Sequence, residues 1–343
     1  MTKRFLAAVV AASVVILSCG GGAGAPAPVA SATAAPTATP KPVALKVAFS
    51  NLTGDNLSQW YAKEAGIFEE NGIDATLVSI EGGSRTMAAL LAGEVQIAQL
   101  GGSEVLSARA GGADLVIAAT LAPVYPYLFM AAPDIKTPAD LKGKKVGISS
   151  VGGSADIATH RVLRTVGLDA DKDVIIVSLG SHAARTAALI SGAIQAGVDD
   201  PPNTVKLQEA GFRILFDLAA LKLPAANTTI VAPAAWVSAN RSLMQRYVDS
   251  VVLSIARMKK DKAGAIAALK KYFGSEADRG YDVAYDFYLN QVTPALPFPR
   301  PEQFADAQAE LSKKNEKVKA LDVKTILDAS FVQSAADRGL DKR

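Results

Sequence analysis

Ala88-Ala89-Leu90-Leu91-Ala92-Gly93-Glu94-Val95-Gln96-Ile97-Ala98 and Ala187-Ala188-Leu189-Ile190-Ser191-Gly192-Ala193-Ile194-Gln195-Ala196-Gly197 are two versions of one pattern. Each reads as the end of an Ala/Leu-rich helix, a glycine where the helix stops, and a short apolar strand. Glycine suits that joint because it enters the left-handed conformation without a Cβ clash. An Arg-Thr pair precedes each copy, Arg85-Thr86 and Arg185-Thr186, with one residue less spacing in the second. Each strand leads into a polar or glycine-rich loop, Gln99-Leu100-Gly101-Gly102-Ser103 and Asp199-Asp200-Pro201-Pro202-Asn203. Ligands of open α/β sheets bind beyond the carboxyl ends of strands, so two such ends predict two lobes facing one crevice. The competing reading is a chance recurrence in Ala-rich sequence.

Outward from the repeat, strands alternate with helices up to about residue 232. The apolar runs 45–49, 75–80, 115–120, 127–131, 145–149, 174–178, 212–216 and 227–232 read as strands. That alternation implies parallel sheets. The first strand ends in Ser50-Asn51-Leu52-Thr53-Gly54-Asp55-Asn56, where Asp55 or Asn56 is expected to cap a helix carrying Trp60 and Tyr61. Ser84 and Ser154 are expected N-caps after the glycine loops Glu81-Gly82-Gly83 and Val151-Gly152-Gly153. Residues 115–132 carry no charge, which raises a membrane span. Pro123 and Pro126 interrupt the run, and two adjoining buried strands explain it better. From Ser238 onward the pattern is helical only. Segment 240–260 places Leu243, Tyr247, Val251, Ser254 and Met258 at helical spacing, and 263–273, 279–291, 301–315 and 325–336 read as further helices.

The chain's 343 residues suffice for two domains of ordinary size. With 50% hydrophobic and 20% charged residues it is globular rather than disordered. Its amino terminus carries Lys3-Arg4, an apolar run from Phe5 to Leu17, and Ser18-Cys19. That is a secretory signal too short to span a bilayer, so residues 1–18 are expected to be a signal peptide. Ile16-Leu17-Ser18-Cys19 resembles the bacterial lipoprotein box, which makes Cys19 the expected lipidation site. Cys19 is the sole cysteine, so the folded part is left without a thiol for disulfides, metal sites or catalysis. Residues 19–43 are rich in Gly, Ala, Pro, Ser and Thr and read as a flexible tether. Of 36 basic residues, Lys3 and Arg4 lie in the signal, leaving 34 against 33 acids, a poor balance for nucleic-acid binding.

Several pieces in order resemble the extracytoplasmic solute-binding lipoproteins of ABC importers, the branch for nitrate, taurine, alkanesulfonates and thiamine-pyrimidine precursors. They are Trp60-Tyr61-Ala62-Lys63-Glu64-Ala65-Gly66-Ile67-Phe68, Asn71-Gly72-Ile73-Asp74, Leu90-Leu91-Ala92-Gly93, and the run from Ile135 to Gly147 with its Asp140-Leu141-Lys142-Gly143-Lys144. The Gly192 joint through Pro201-Pro202 completes the set. The sequence departs from the family at Gln96 and Gln195, where relatives often carry an acid. The resemblance implies the type II periplasmic binding protein fold: two Rossmann-like α/β lobes with mixed sheets, two crossover strands, and a C-terminal helical extension. Crossovers are expected at 127–132 and 230–234. The first lobe is then 44–131, the second 132–229, and 230–343 returns to complete the first. The resemblance also implies a monomer outside the cytoplasm that hands a small anionic or heteroaromatic solute to a permease and its ATPase. It implies no enzyme activity, cofactor or metal. A ligand sensor for a membrane receptor is the first alternative. A pyrimidine synthase on the same fold is the second, disfavoured because that enzyme depends on a cysteine-rich segment.

Strand-end loops supply the ligand-binding candidates. The first lobe offers Ser50, Asn51, Gly82, Gly83, Ser84, Arg85, Gly101, Gly102 and Ser103. From the second come Gly152, Gly153, Ser154, Ser181, His182, Asp199 and Asp200. Trp60 and Tyr125 are expected to wall the pocket, as aromatics often do. Arg85 would pair with a carboxylate or sulfonate, or with Glu81. Asp199 and Asp200 would receive an amino group or cap the turn at Pro201. The glycine-serine loops are the favoured anion sites, because helix N-termini bind anions without a particular side chain.

Overall fold

The computed structural model describes residues 42–274 and 278–343. The expected signal peptide, Cys19 and almost all of the tether lie outside the described residues. In chain order the strands are β1 (Val43–Phe49), β2 (Ile73–Ser79), β3 (Ile97–Leu100), β4 (Leu115–Val124) and β5 (Leu128–Ala131). They continue with β6 (Lys145–Ile148), β7 (Ile175–Ser178), β8 (Ala196–Asp199), β9 (Arg213–Asp217) and β10 (Pro224–Pro233). They build two five-stranded sheets, ordered β2-β1-β3-β10-β4 and β7-β6-β8-β5-β9. The two orders are one topology used twice, with β6 to β9 standing where β1 to β4 stand.

The fourth place in each sheet is filled from the other half of the chain. β5 enters the second sheet just after β4 leaves the first, and it runs antiparallel to β8 and β9. β10 returns to the first sheet and runs antiparallel to β3 and β4. Both sheets are therefore mixed, and the parallel pairing implied by strand–helix alternation holds for the other members. Each crossing lies before its expected position. The first falls at 125–127, since β5 already belongs to the second sheet. The second falls at 218–223, whereas 230–234 lies within or beside the first sheet, Ile230 pairing with Gln99 and Ala119. The apolar run through β10 hides this change of sheet. The chain reverses instead around Lys222, a non-glycine residue at φ 51°. Asn227 and Thr228 thereby belong to the first lobe's sheet. The uncharged stretch 115–132 is divided between β4 and β5. No described helix is long and apolar enough to cross a membrane.

The repeated joint folds alike in both lobes. Helix Gly83–Leu91 ends before Gly93 at φ 76° and leads to β3; helix His182–Ile190 ends before Gly192 at φ 74° and leads to β8. The two glutamines that depart from the family have matching tasks. Gln96 Oε1 accepts from the Lys46 amide at 2.9 Å, and Gln195 Oε1 accepts from the Lys145 amide at 3.1 Å. Each amide side chain therefore ties the third strand of its sheet to the first. These glutamines are architectural.

The C-terminal helices cover the first lobe. Helix Arg241–Met258 buries Leu243, Tyr247, Val251, Ser254 and Met258, the face marked by helical spacing. Tyr247 accepts from Gln99 at 2.9 Å and donates to Gln59 at 3.3 Å, which pins this helix to the strand ends. Helix Ala305–Ser312 packs on helix Gly102–Ala110 of the first lobe and on helix Ser154–Thr165 of the second. It straps the two together.

Candidate functional site

The carboxyl ends of β1, β3, β6 and β8 converge on a cleft between the sheets, closed behind by β10 and by Tyr288. The cleft encloses about 30 Å³, room for a group of a few atoms. Of the expected residues, Ser50, Asn51, Gly82, Gly83 and Gly101 line it from the first lobe. Gly153, Ser154, His182 and Asp200 line it from the second.

The other candidates lie elsewhere. Trp60 is fully buried in the first lobe's core, edge-on to Phe49 at 5.5 Å and stacked on Tyr272 at 4.8 Å. A helical aromatic on the inward face packs where its helix meets the sheet, and this one does. Tyr125 is buried too, its hydroxyl donating to Asp306 Oδ2 at 3.2 Å. Arg85 and Ser84 are exposed on the outer side of their helix. Gly82 and Gly153, not Ser84 and Ser154, hold the N-cap positions, so both serines sit inside their helices. Gly152 and Ser84 border a separate surface hollow. Gly102 is a packing glycine, since a Cβ there would stand 2.6 Å from both Ala226 and Phe304. Ser103 points its hydroxyl at Glu104, 2.8 Å away. Ser181 is a helix cap, accepting from the Ala184 amide at 3.2 Å. Asp199 lies behind the lining, fully buried.

Asp55, Glu104, Asn227, Thr228 and Tyr288 line the cleft and are absent from the expected set. Asp55, read from sequence as a cap, turns its carboxylate into the cleft wall. It accepts from Thr53, from Thr228 and from Asn227 Nδ2, the last at 3.2 Å. Asn227 and Thr228 arrive on β10 and Tyr288 from a π-helical turn at Tyr288–Val292, so no local motif announced them. Glu104 reaches from its helix across the two glycine loops, where a Cβ on Gly83 or Gly101 would collide with its carboxylate. The small residues at 83 and 101 were the visible signal; what they make room for was not.

The second-lobe wall is an ionic cluster. His182 Nδ1 lies 2.8 Å from Asp200 Oδ1 and 3.0 Å from Arg185 Nη2. One ring nitrogen cannot donate and accept at once. The nearer carboxylate decides it: Nδ1–H donates to Asp200, and the guanidinium is held by Ser149 Oγ at 2.9 Å and Asp199 at 3.6 Å. Burial and the Arg185 charge push the His182 pKa down, yet Asp200 and Asp199 outweigh them and raise it. Asp199 stays below the usual carboxylate range although burial opposes this, because Arg185, His182 and Thr186 hold its charge. Asp200 is pushed up, chiefly by burial. Tyr288 donates to Asp200 Oδ2 at 2.5 Å.

Among the described residues two sets of side chains stand close enough to share a metal ion: His182 with Asp199 and Asp200, and His160 with Asp171 and Glu310. In each a cation of the chain is already present, Arg185 in the first and Arg164 with Lys313 in the second. A metal would have to displace or tolerate that charge.

Paired sheets with exchanged strands around a polar cleft define the type II periplasmic binding protein fold. The chain belongs to the NMT1/THI5-like family, whose model, described as NMT1/THI5 like, matches residues 56–265. A search of curated proteins by sequence finds no match. Among solved structures it is similar to the periplasmic aliphatic sulphonate binding protein SsuA from Escherichia coli. The two are 24% identical at a TM-score of 0.69, covering 85% of this chain and 99% of that one. The periplasmic nitrate-binding protein NrtA from Synechocystis PCC 6803 is 15% identical at a TM-score of 0.67, covering 87% and 89%. The desulfurization enzyme DSZB is 16% identical at a TM-score of 0.63, covering 86% and 99%. The fold thus serves both binding and catalysis, and the site has to decide.

Proposed function

We propose that this chain is the substrate-binding component of an ABC importer, working outside the cytoplasm and tethered to a membrane by lipid on Cys19. It captures a small solute between its lobes and delivers it to a permease with its ATPase. The observation that carries this reading is the cleft: an enclosed polar space lined from strand ends of both lobes, so that occupancy and lobe closure are linked. The sulfonate- and nitrate-binding relatives support a solute with a small polar head, and the Tyr127 and Tyr288 rings suit a heteroaromatic one. The ionisable groups of the wall are engaged with each other, His182 with Asp200, Arg185 with Asp199 and Tyr288 with Asp200, and the sulfonate- and nitrate-binding neighbours favour binding over catalysis. A monomer suffices, since the site is complete within one chain.

A thermal-shift screen of sulfonates, carboxylates, nitrate, pyrimidines and amines tests the reading. A true ligand at a hundred times its Kd should raise Tm by roughly 5 °C. A blank across the whole library would sink the transport reading. The anchor has its own test: labelled fatty acid should enter the wild-type protein and not Cys19→Ala, and equal labelling would end that part of the proposal.

A further inference from the structure

We infer that the solute presents a positively charged nitrogen group, an ammonium, amidinium or guanidinium, to acceptors supplied by Asn227, Glu104 and Asp200. This rests on the solute-binding reading above and narrows it. The first ground is an inventory of donors and acceptors. Thr53, Thr228 and Asn227 Nδ2 all donate to Asp55, Tyr288 donates to Asp200, and Ser103 donates to Glu104. Much of the wall's donor capacity is thus directed at its own carboxyl groups. An acceptor is left over. The side-chain oxygen of Asn227 is buried in a residue 7% exposed, in the cleft wall, and no donor among the described residues reaches it at hydrogen-bond geometry, although the Tyr127 phenol interacts with the same amide group. Its orientation is settled by Asp55, because a flipped amide would set oxygen against carboxylate oxygen. A buried carbonyl without a donor is costly, and a donor brought by the solute removes that cost.

Charge is the second ground. Among the described residues the cleft is lined by Asp55, Glu104 and Asp200 against one basic group, His182, which is turned to Asp200; Lys206 lines the adjoining hollow. Arg185 stands behind the wall with Asp199. The third ground is the glycine loops themselves. Gly83, Gly101 and Gly153 surround a niche at helix starts where a free anion would be welcome. The Glu104 carboxylate already lies in it, 3.3 Å from where a Gly153 Cβ would be. An incoming anion meets a carboxylate there; an incoming cation meets a partner. The space beside these groups is about 30 Å³, room for a head of a few atoms, and a larger hollow that shares Asn51 and His182 adjoins it. Burial raises Glu104 and Asp200; Asp200 is faced by His182, Tyr288 and the lowered Asp199. His182, also raised, sheds its charge as pH climbs, so loss of protons from all three groups should make a cation bind more tightly as pH rises.

Titration of the full-length protein with shape-matched pairs tests this: acetamidinium against acetate, methylguanidinium against nitrate, methylammonium against methanesulfonate. The cations are expected to raise Tm and to bind more tightly at higher pH. Glu104→Gln, which keeps the side chain's shape, should weaken the tightest of them about tenfold or more. Stabilisation by the anions alone, or by uncharged solutes alone, overturns the inference and leaves solute binding standing. Unchanged cation affinity in Glu104→Gln also overturns it. Silence from all six probes and from the wider library overturns both readings. The wild-type panel decides the matter even if the variant fails to fold.

Discussion

Helices Gly83–Leu91 and His182–Ile190 enter their joints with the same inside–outside order, and the burial of the two runs matches almost residue for residue. Their Arg-Thr pairs do not match. The second copy has one residue fewer between Thr186 and Gly192 than the first has between Thr86 and Gly93. One residue is a 100° turn of helix. Counted from the joint glycine, Arg185 therefore takes the inward place that Thr86 holds in the first lobe, and Arg85 faces outward as Ala184 does. The same dipeptide becomes a buried cation in one lobe and a solvated one in the other. The difference reaches the cleft. The second lobe surrounds its guanidinium with Asp199, Asp200 and His182, whereas the first sends Glu104 over Gly83 and Gly101 and leaves the Arg85 guanidinium exposed beside Gly82. An architectural repeat thus carries two unlike electrostatic walls.

The sharpest break of this comparison is to neutralise the two arginines in turn. Arg185→Met strips Asp199 of its buried partner and leaves Ser149 without a donor, which should cost about 3–5 kcal/mol. Arg85→Met on an exposed face should stay within about 0.5 kcal/mol. Urea unfolding of both variants reads the difference. Equal losses would mean that the one-residue offset has no energetic meaning.

The offset also shows how far the sequence could be read. The joints, their glycines and the two-lobed plan were legible because periodicity and turn chemistry are local. The buried face of helix Arg241–Met258 was legible for the same reason. Arg85 reads as a ligand partner from its place near a helix start, whereas the burial of Arg185 depends on a rotation that only the assembled helix reveals. Trp60 looked like a pocket wall, while the Phe49 and Tyr272 rings that enclose it lie far off in sequence. Asn227, Thr228 and Tyr288 were illegible as site residues because exchange of β5 and β10 brings them there. A long-range topology has no short-range signature.

Gln96 and Gln195 sharpen the architectural half of the comparison. Each carbonyl oxygen accepts the first-strand amide fifty positions earlier, at Lys46 and Lys145. Replacing Gln96 with leucine removes one hydrogen bond, a loss of about 1 kcal/mol; replacing Gln195 removes that bond's counterpart and also the one its Nε2 donates to the Gly192 carbonyl at 3.0 Å. Gln195→Leu should therefore cost somewhat more than Gln96→Leu, and the double variant should show their sum, since the sites share no partner. A larger loss from Gln96→Leu would show that the strand tie is not the same in the two lobes.

The smallest expected effect separates the lobes by pH. Both histidines of the chain lie in the second lobe, and His160 sits where that lobe meets helix Ala305–Ser312. Its ring faces Asp156 at 3.3 Å, Asp171 at 3.9 Å and Glu310 at 3.3 Å. Arg164 and Lys313 also pair with Glu310, and Arg161 pairs with Asp306 nearby. Hydrogen bonding to Asp156 is the main reason the His160 pKa is raised, against the opposing pull of burial. A raised folded-state pKa means that the protonated form is favoured by folding. The stabilisation is then complete below the unfolded value of about 6.5 and is lost as pH climbs through the folded value. Wild type should exceed His160→Gln in unfolding free energy by under about 1 kcal/mol at acid pH, because Arg164 and Lys313 still hold Glu310. That gap should close as pH rises. His182 is present in both proteins and cancels in the difference, so a gap that widened with pH would show His160 to be neutral in the strap.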